Sequence, residues 1–304
     1  MRASWGRLGN ENALGYYDFL ALISTYNTKY QGYVKGNGDN AWAGSIARGL
    51  ENRSLKWETT DTKNIGLDFG FFNNKLTGAM NYYYNQTEEL LITKALPPSA
   101  GLNNPILNVG KIRNSGVEVE INWADSKGGF DYNIGMNFST TKNKVVELAD
   151  KGQVLYGEGL KYGTEHFPTQ TRVGKPIGAF YLYKTNGLFQ SNEEARQYVN
   201  ADGDEYQPFA DAGDIRYVDV NGDGYIDDDD KVYCGSGIPT LEVNLNFSAG
   251  YKGFDLSVVL GSAWGHKIYN GNKYFYEGMN SGSNFLTSSL NAWTPQNTNT
   301  NIPR

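Results

Sequence analysis

The sequence predicts an all-β fold, namely part of an antiparallel transmembrane β-barrel: about seven strands of a larger barrel, with long extracellular loops. Three observations lead to this prediction. Apolar and polar residues alternate in several runs, very short turns join these runs in pairs, and long connections separate the pairs. In a membrane barrel each strand turns one apolar face to lipid, and the short turns and the long loops lie at opposite ends.

The alternation has a period of two residues, as a strand with one apolar face requires. In the clearest run, Leu241, Val243, Leu245 and Phe247 are separated by polar residues. The runs that show this pattern cover residues 65–71, 76–84, 117–123, 132–138, 241–251 and 254–260. Each run is therefore predicted to be a strand with an apolar face and a polar face.

Very short connections join neighbouring runs at 73–74, 125–129 and 252–253, where Asn and Gly tolerate the positive φ of tight hairpins. The connections at 88–115 and 142–240 are far longer than those of compact soluble domains. This asymmetry between short turns and long loops favours a membrane barrel over a soluble β-sandwich.

The longest connection, about residues 142–240, is predicted to be an extracellular loop with some structure of its own. The segment 176–189 is expected to form local strands. Ser191 precedes acidic residues and is expected to cap a short surface helix over 191–199.

Within this loop, residues 219–230 match the spacing of a calcium-binding loop. Gly224 at the sixth position permits a sharp turn, and Ile226 at the eighth would anchor the loop. The predicted Ca²⁺ ligands are Asp219, Asn221, Asp223, Tyr225 (through its backbone carbonyl), Asp227 and Asp230. The standard loop ends in a longer Glu rather than Asp, and a solvated acidic turn is the alternative. The expected role of the ion is structural.

Composition narrows the class of function. Charged residues make up 20% of the chain, the formal net charge is −6, and the sequence shows no clustered Lys and Arg, which argues against a nucleic-acid partner. No constellation of catalytic residues stands out, so the chain is not predicted to be an enzyme. The single cysteine, Cys234, is predicted to be a packed thiol.

Aromatic residues lie where a membrane barrel places its interfacial girdles, towards the predicted strand ends. The residues in these positions are Tyr82, Tyr83, Tyr84, Trp123, Tyr132 and Tyr251. In the predicted loops, the candidates for stacking on sugars are Trp42, Tyr162 and Trp264. Packing within the loops is the alternative for each of them.

Several segments, in this order along nearly the whole chain, resemble a known family. They are RASWGRLGN at 2–10, LKWETTDTKNIGLDFGFFNNKLTGAMNYYYNQTEELL at 55–91, NVGKIRNSGVEVEINW at 108–123, VGKPIGAFYLYKTNGLF at 173–189, GDIRYVDVNGDGYIDDDDKV at 213–232 and YKGFDLSVVLGSAWGHKIYN at 251–270. As a set they resemble the C-terminal half of the barrel in the SusC/RagA family.

The resemblance implies a TonB-dependent transporter in the outer membrane of Bacteroidota, with a barrel of about 22 strands and an N-terminal plug. It also implies three partners: a SusD-like surface lipoprotein that closes the barrel, the TonB complex, and an oligosaccharide or peptide substrate. Outer-membrane lipid would surround the strands.

Compared with the family, we expect residues 1–304 to be one partial barrel domain. The sequence shows no signal peptide, no carboxypeptidase-like extension, no plug and no TonB-contacting segment, and the closing C-terminal strands are expected to be missing. The interaction with TonB would pass through the N-terminal part of the receptor.

The alternative is a secreted, calcium-stabilised β-sandwich that binds carbohydrate or mediates adhesion. The two predictions differ in what covers the apolar face. In a barrel, Leu241 and Leu245 contact lipid while Glu242, Asn244 and Asn246 line the interior; in a sandwich, the apolar residues pack against a second sheet.

Overall fold

The structure is a computed structural model that describes residues 1–11, 14–26, 33–34, 41–42, 44–47, 49–94, 96, 98–157, 168–278 and 284–304. The strands up to residue 150 are β1 (Arg2–Asn10), β2 (Ile23–Tyr26), β3 (Tyr33–Val34), β4 (Ala41–Trp42), β5 (Gly44–Ala47), β6 (Glu58–Phe71), β7 (Leu76–Thr93), β8 (Ile106–Lys127), β9 (Phe130–Thr140) and β10 (Lys142–Glu147). The later strands are β11 (Leu155–Tyr156), β12 (Thr169–Thr171), β13 (Ala179–Tyr183), β14 (Thr185–Leu188), β15 (Ile215–Tyr217), β16 (Lys231–Gly235), β17 (Leu241–Tyr251) and β18 (Phe254–Trp264). Among the described residues, the helices are α1 (Asn192–Gln197), α2 (Gly271–Glu277) and 3₁₀-helices at Pro98–Ala100, Asp228–Asp230 and Thr287–Asn291.

The main sheet has eight strands: seven follow one another in the order β1-β6-β7-β8-β9-β17-β18, and β10 pairs with β8 beyond the end of β9. All of these pairs are antiparallel. The predicted row of about seven antiparallel strands is therefore confirmed. Two further antiparallel pairs, β2 with β5 and β3 with β4, lie between β1 and β6 in the sequence.

The three predicted hairpins are present and lie at one end of the sheet. The first turn is longer than the predicted 73–74, because β6 ends at Phe71 and β7 begins at Leu76; its central residues 73–74 have φ of 55° and 63°. Residues 252–253 form a two-residue turn with φ of 49° and 84°. The third turn is shorter than predicted, because β8 continues to Lys127 and leaves only residues 128–129, with φ of 63° and 80°. Positive φ at both central residues matches the twist of the flanking strands.

The connection predicted at 88–115 is shorter than expected. β7 continues to Thr93 and β8 begins at Ile106, because the two strands stay paired past an irregularity near Glu89, whose φ is 57°. Apolar alternation in β7 stops near Tyr84, where the strand loses its apolar face. The periodicity of the sequence therefore gave no sign of this extension.

The chain divides into two compact units, of which the first contains the main sheet. The second unit is formed by Tyr156–Gln170, Gly178–Gly237 and His266–Arg304. It contains a sheet in the order β11-β12-β13-β16 and the separate pair β14-β15. No helix in the described part of the chain is long and apolar enough to cross a membrane.

The second unit has a small hydrophobic core made by Phe189, Ala195 and Ala210, with Tyr198 packed against it. Ala195 lies on α1, which begins after Ser191; the Ser191 hydroxyl accepts a hydrogen bond from the backbone N–H of Glu194. The predicted cap and helix are confirmed, as are the predicted local strands, now β13 and β14.

Candidate functional site

The register of the main sheet brings side chains of one kind into rows, because directly paired residues point to the same face. One row consists of Phe69, Gly78, Ile121, Met136, Leu245 and Leu260. The row displaced by one residue consists of Asp68, Ala79, Glu120, Asn137, Asn244 and Gly261. One face of the sheet is thus predominantly apolar and the other predominantly polar and small.

No second layer of protein covers the apolar face in the described part of the chain. Met80, Leu245 and Leu260 are 49%, 37% and 57% exposed, and contacts of the sheet strands with other elements are with their hydrogen-bonded neighbours. A β-sandwich would bury these side chains between two sheets. The arrangement is that of a barrel wall.

Aromatic side chains border the apolar face at the end that carries the hairpins. The Phe130 ring lies 5.8 Å from Tyr132 and 6.3 Å from Tyr251, and the Trp123 indole N–H donates a hydrogen bond of 3.2 Å to the Tyr132 hydroxyl. These residues form an amphipathic belt of the kind found at membrane–water interfaces.

A second group of aromatics borders the same face towards the long connections. Trp5 pairs with Lys63, which pairs with Tyr84; Tyr82 lies one row nearer the hairpins. Trp264 is not in a loop as predicted but ends β18, where it is 61% exposed and donates a hydrogen bond to Ser262. The apolar rows therefore lie between two aromatic belts.

The calcium-type loop in the second unit is folded around the side chain of Asp219. Its carboxylate accepts hydrogen bonds from the backbone N–H groups of Gly222 (2.6 Å) and Gly224 (2.9 Å), and Gly224 has φ of 91°. Burial raises the pKa of Asp219, but the hydrogen bonds from Gly224 and Gly222 outweigh it and lower the pKa below its ordinary value. The carboxylate is therefore held in its charged form.

Asn221 and Asp223 each accept a hydrogen bond from the backbone N–H two residues ahead, at 2.8 and 2.9 Å. The Asn221 amide also donates to the Asp223 carboxylate at 2.9 Å. Asp227 accepts from the N–H of Asp229 and caps the 3₁₀-helix. These exposed side chains keep lone pairs on oxygens of the hard type that Ca²⁺ binds.

Asp230, the twelfth residue of the loop, is completely buried and joins the two ends of the loop. One carboxylate oxygen accepts from the N–H groups of Val220 (2.7 Å) and Asn221 (3.3 Å), and the other accepts from Asp227 (2.8 Å). Since a carboxylate accepts about four hydrogen bonds, Asp230 retains capacity for one further contact. It closes the loop instead of presenting two free oxygens.

The remaining predicted ligand is the backbone carbonyl of Tyr225, whose side chain is 66% exposed; Ile226, the predicted anchor, is half-buried. Among the described residues, no group of three or more His, Cys, Asp or Glu side chains converges in a metal-binding arrangement. The structure thus brings the predicted ligands into one closed loop, stabilised by its own hydrogen bonds.

Two other predictions concern the single cysteine and the aromatic residues proposed to stack on sugars. The prediction that Cys234 is packed is wrong: it lies on β16 with its side chain exposed, as does its neighbour Tyr233. Two of the sugar-stacking candidates cannot be compared with the structure, since Tyr162 and the side chain of Trp42 lie outside the described residues.

A comparison with known families identifies the chain. The family described as "TonB dependent receptor-like, beta-barrel" matches residues 2–294. The chain belongs to this TonB-dependent receptor β-barrel family. Receptors of the family are outer-membrane barrels. The exposed apolar face and the two aromatic belts of the main sheet are those expected of a barrel wall in contact with lipid.

Individual relatives agree with this assignment. TonB-dependent receptor P3 of Formosa agariphila is 31% identical, covering 100% of this chain and 29% of the relative. TonB-dependent receptor SusC of Bacteroides thetaiotaomicron is 27% identical, covering 95% of this chain and 27% of SusC. A solved structure of the RagAB peptide transporter has the same fold, with a TM-score of 0.74 and 23% identity over 100% of this chain and 31% of that one. The chain spans less than a third of the length of these relatives.

The charged residues that follow the second aromatic belt on the apolar, outward-facing side of the sheet were not predicted from the sequence. Arg7 makes two hydrogen bonds of 2.7 Å to Asp61, and Lys111 lies 3.1 Å from Glu88. In the sequence, these residues continue the alternation of β1, β6, β7 and β8 after the apolar residues stop. Counting every second residue backwards from Ile65 would have found Lys63 and Asp61.

Proposed function

We propose that this chain forms wall strands and loop structure of a TonB-dependent outer-membrane transporter that imports oligosaccharides or peptides together with a SusD-like surface lipoprotein. The chain's part in this function is not enzymatic: it separates lipid from an aqueous interior and shapes the mouth of the barrel.

The observation that carries the proposal is the uncovered apolar face between two aromatic belts. β17 and β18 each have 11 residues. Eleven residues extend over roughly 35 Å, or about 27 Å along the bilayer normal at a tilt of about 40°. This matches the apolar band of an outer-membrane barrel, about 25 Å tall.

The polar face supplies the interior of the proposed barrel. Arg2 bonds to Asn81 at 2.9 Å and lies 3.1 Å from Asp68 across β1, β6 and β7. Towards β17, the same face carries Asn137 and Asn244. Amides and small residues on this face leave a hydrated wall, along which a polar substrate and a plug can move.

The partners are proposed on the basis of family membership. RagAB is described as a peptide transporter, and SusC is a curated receptor relative. In this proposal the lipoprotein closes the extracellular end, where the long connections lie, and the TonB complex acts on a plug outside residues 1–304. Substrate capture by the lipoprotein would precede plug movement driven through TonB.

The test uses the full-length receptor in its native host. After gradient separation of the two membranes, the tagged receptor is expected in the outer-membrane fraction, and a tagged lipoprotein partner is expected to co-purify with it. Deletion of the receptor gene should abolish uptake of one class among labelled oligosaccharides and peptides, and deletion of TonB should abolish the same uptake. A receptor found in the culture supernatant would overturn the proposal in favour of the secreted module.

For the loop at 219–230, we propose a structural Ca²⁺ ion bound by the six predicted residues. Asp219, Asn221, Asp223 and Asp227 would contribute side-chain oxygens, Tyr225 its carbonyl, and Asp230 its one remaining lone pair. The ion would offset the mutual repulsion of these carboxylates and stiffen the loop of the second unit.

The paired substitution Asp219→Asn and Asp223→Asn tests this proposal. The full-length receptor should bind one calcium ion fewer per chain by isothermal titration, and trypsin should cut the second unit faster in the variant than in the calcium-loaded wild type. Asp202→Asn with Asp204→Asn, two exposed acids of the same unit, is the matched control. Equal calcium binding by both variants would show that this loop holds no ion.

A further inference from the structure

Four cationic side chains lie together on the outward face of the main sheet, directly after the second aromatic belt. In the register, Lys63 pairs with Tyr84, Tyr84 with Ser115, and Ser115 with Lys142. In the next row away from the hairpins, Arg113 pairs with Lys144. Lys63 and Arg113 lie an even number of positions from the apolar residues Ile65 and Val117 of their own strands. Lys142 and Lys144 pair directly with Ser115 and Arg113 and therefore point to the same face, so the four cations continue the face that carries the apolar rows.

The acidic side chains on this part of the face are already paired with other cations. Asp61 is bound by Arg7, and Glu88 lies 3.1 Å and Glu147 4.0 Å from Lys111. We define the cationic cluster as Lys63, Arg113, Lys142 and Lys144. None of its members has an ion-pair partner in the part of the chain that the structure describes. Glu88 and Glu147 share one cation, Lys111, which leaves one negative charge on this part of the face against the four cations, so the cluster keeps a net positive charge.

The cluster is organised around an aromatic ring. The Lys63 ammonium lies 5.8 Å and the Arg113 guanidinium 5.2 Å from the centroid of Tyr84. The Tyr84 hydroxyl donates to Gln86, which also accepts a hydrogen bond of 3.3 Å from Arg113. The Nε atom of Arg113 is buried without a hydrogen-bond partner in the described residues. These contacts hold two cations on one ring and leave donor capacity unused.

We propose that this cluster binds the phosphate headgroup of an anionic lipid in the outer leaflet, with its acyl chains against the apolar rows. The inference rests on the proposed membrane location of the sheet. The cluster is continuous with the apolar face, it lies at the end of the long connections, which is the extracellular end of a barrel, and its charge complements a phosphate. A soluble anion would satisfy the charge but not use the adjoining apolar surface.

The experiment measures lipid binding by the full-length receptor in neutral detergent micelles. Three probes are compared: an acylated disaccharide lipid that carries phosphate, the same lipid after removal of its phosphate, and inorganic phosphate. Wild type should bind the phosphorylated lipid about tenfold or more tightly than the dephosphorylated one, with weaker binding as salt rises. Inorganic phosphate should compete only at far higher concentration.

The test variant combines Lys63→Gln, Lys142→Gln and Lys144→Gln, and should lose the preference for the phosphorylated lipid. The same three positions changed to Arg should retain it, which separates loss of charge from loss of folding. The control variant, Lys127→Gln with Lys252→Gln, removes cations at the hairpin end and should bind as wild type does.

Two outcomes would overturn the inference. The first is that the wild-type receptor binds both lipids equally. The second is that it binds inorganic phosphate as tightly as the phosphorylated lipid. Either result would show that this cluster is not a headgroup site. Either result leaves the proposed transport function intact provided that the receptor is in the outer-membrane fraction. A receptor absent from that fraction would remove the proposed function itself.

Discussion

The two units of this chain solve opposite solvation problems. In the second unit, Phe189 is completely buried in a cluster with Ala195 and Tyr198. In the main sheet, side chains of similar hydrophobicity, such as Leu256 and Leu260, are more than half exposed. Side chains of the same types are thus buried in a protein core in the second unit, whereas on the apolar face of the sheet they are left uncovered by protein among the described residues, as a lipid-facing surface requires.

The largest expected effect is a cavity in the second unit. Phe189→Ala should lower the free energy of unfolding of that unit by about 3–5 kcal/mol, because the space left by the ring cannot collapse fully. Pulse proteolysis of the full-length receptor measures it. Leu260→Ala is the matched change in the sheet, where lipid fills the space, and should cost about 2 kcal/mol or less. Equal costs would contradict the contrast between the two units.

The next effect concerns the face of the sheet that is placed for lipid. Leu245→Arg should destabilise the sheet by about 2–4 kcal/mol near the bilayer midplane, because the charge is moved into hydrocarbon. Asn246→Arg, one residue further on the polar face, should cost far less. Urea unfolding in lipid vesicles compares the two variants. If Asn246→Arg were the more damaging, the assignment of the faces would be reversed.

A smaller effect is expected at the start of α1. Ser191→Ala removes the acceptor for the N–H of Glu194 and should cost about 1 kcal/mol in the stability of the second unit. Ser191→Asn, which can replace the cap, is the control and should restore most of the loss. Thermal unfolding followed by proteolysis of the second unit distinguishes them; no difference between the two variants would mean that the cap is dispensable.

The smallest effect is a pH dependence confined to the second unit. Burial raises the pKa of Asp214, but hydrogen bonds from Arg304 and the backbone of Asp211 outweigh it and lower the pKa below its ordinary value. The ion pair therefore stabilises the folded unit at pH above the unfolded-state pKa, and this contribution is lost as pH falls through the folded-state pKa. Because both side chains are partly exposed, it should amount to about 0.5 kcal/mol.

The test measures the free energy of unfolding of the second unit from pH 6 to acidic pH. This free energy should fall less steeply in Arg304→Gln than in the wild type. A parallel fall in both proteins would show that this pair does not contribute. The main sheet is not expected to share this dependence on Arg304, which lies in the other unit.

Much of the sheet could be predicted because the signals are local. Residues 241–251 alternate strictly, and residues 252–253 accept the positive φ of a tight turn. Each of these properties belongs to a few neighbouring residues and does not depend on which strands lie beside them. The spacing of the loop at 219–230 is local in the same way and predicted a compact turn there, but not that Asp219 and Asp230 close it through backbone hydrogen bonds.

What could not be predicted depends on partners far away in the sequence. The end of β7 lies at Thr93 because β8 continues to pair with it, although the apolar alternation has stopped. Exposure of Cys234 depends on which face of β16 packs in the second unit. The joining of residues 266–304 to that unit left no pattern in the sequence.

The sequence by itself determined the strand type, the positions of the tight turns and the division of each strand into an apolar and a polar side. These follow from the period of two residues and from the backbone freedom of Asn and Gly. Only the tertiary structure decided that Lys63 and Arg113 meet at one Tyr84 ring, with Lys144 paired to Arg113 on the neighbouring strand. The reason is register: charges that are distant in sequence become neighbours only when strand pairing fixes which residues share a row.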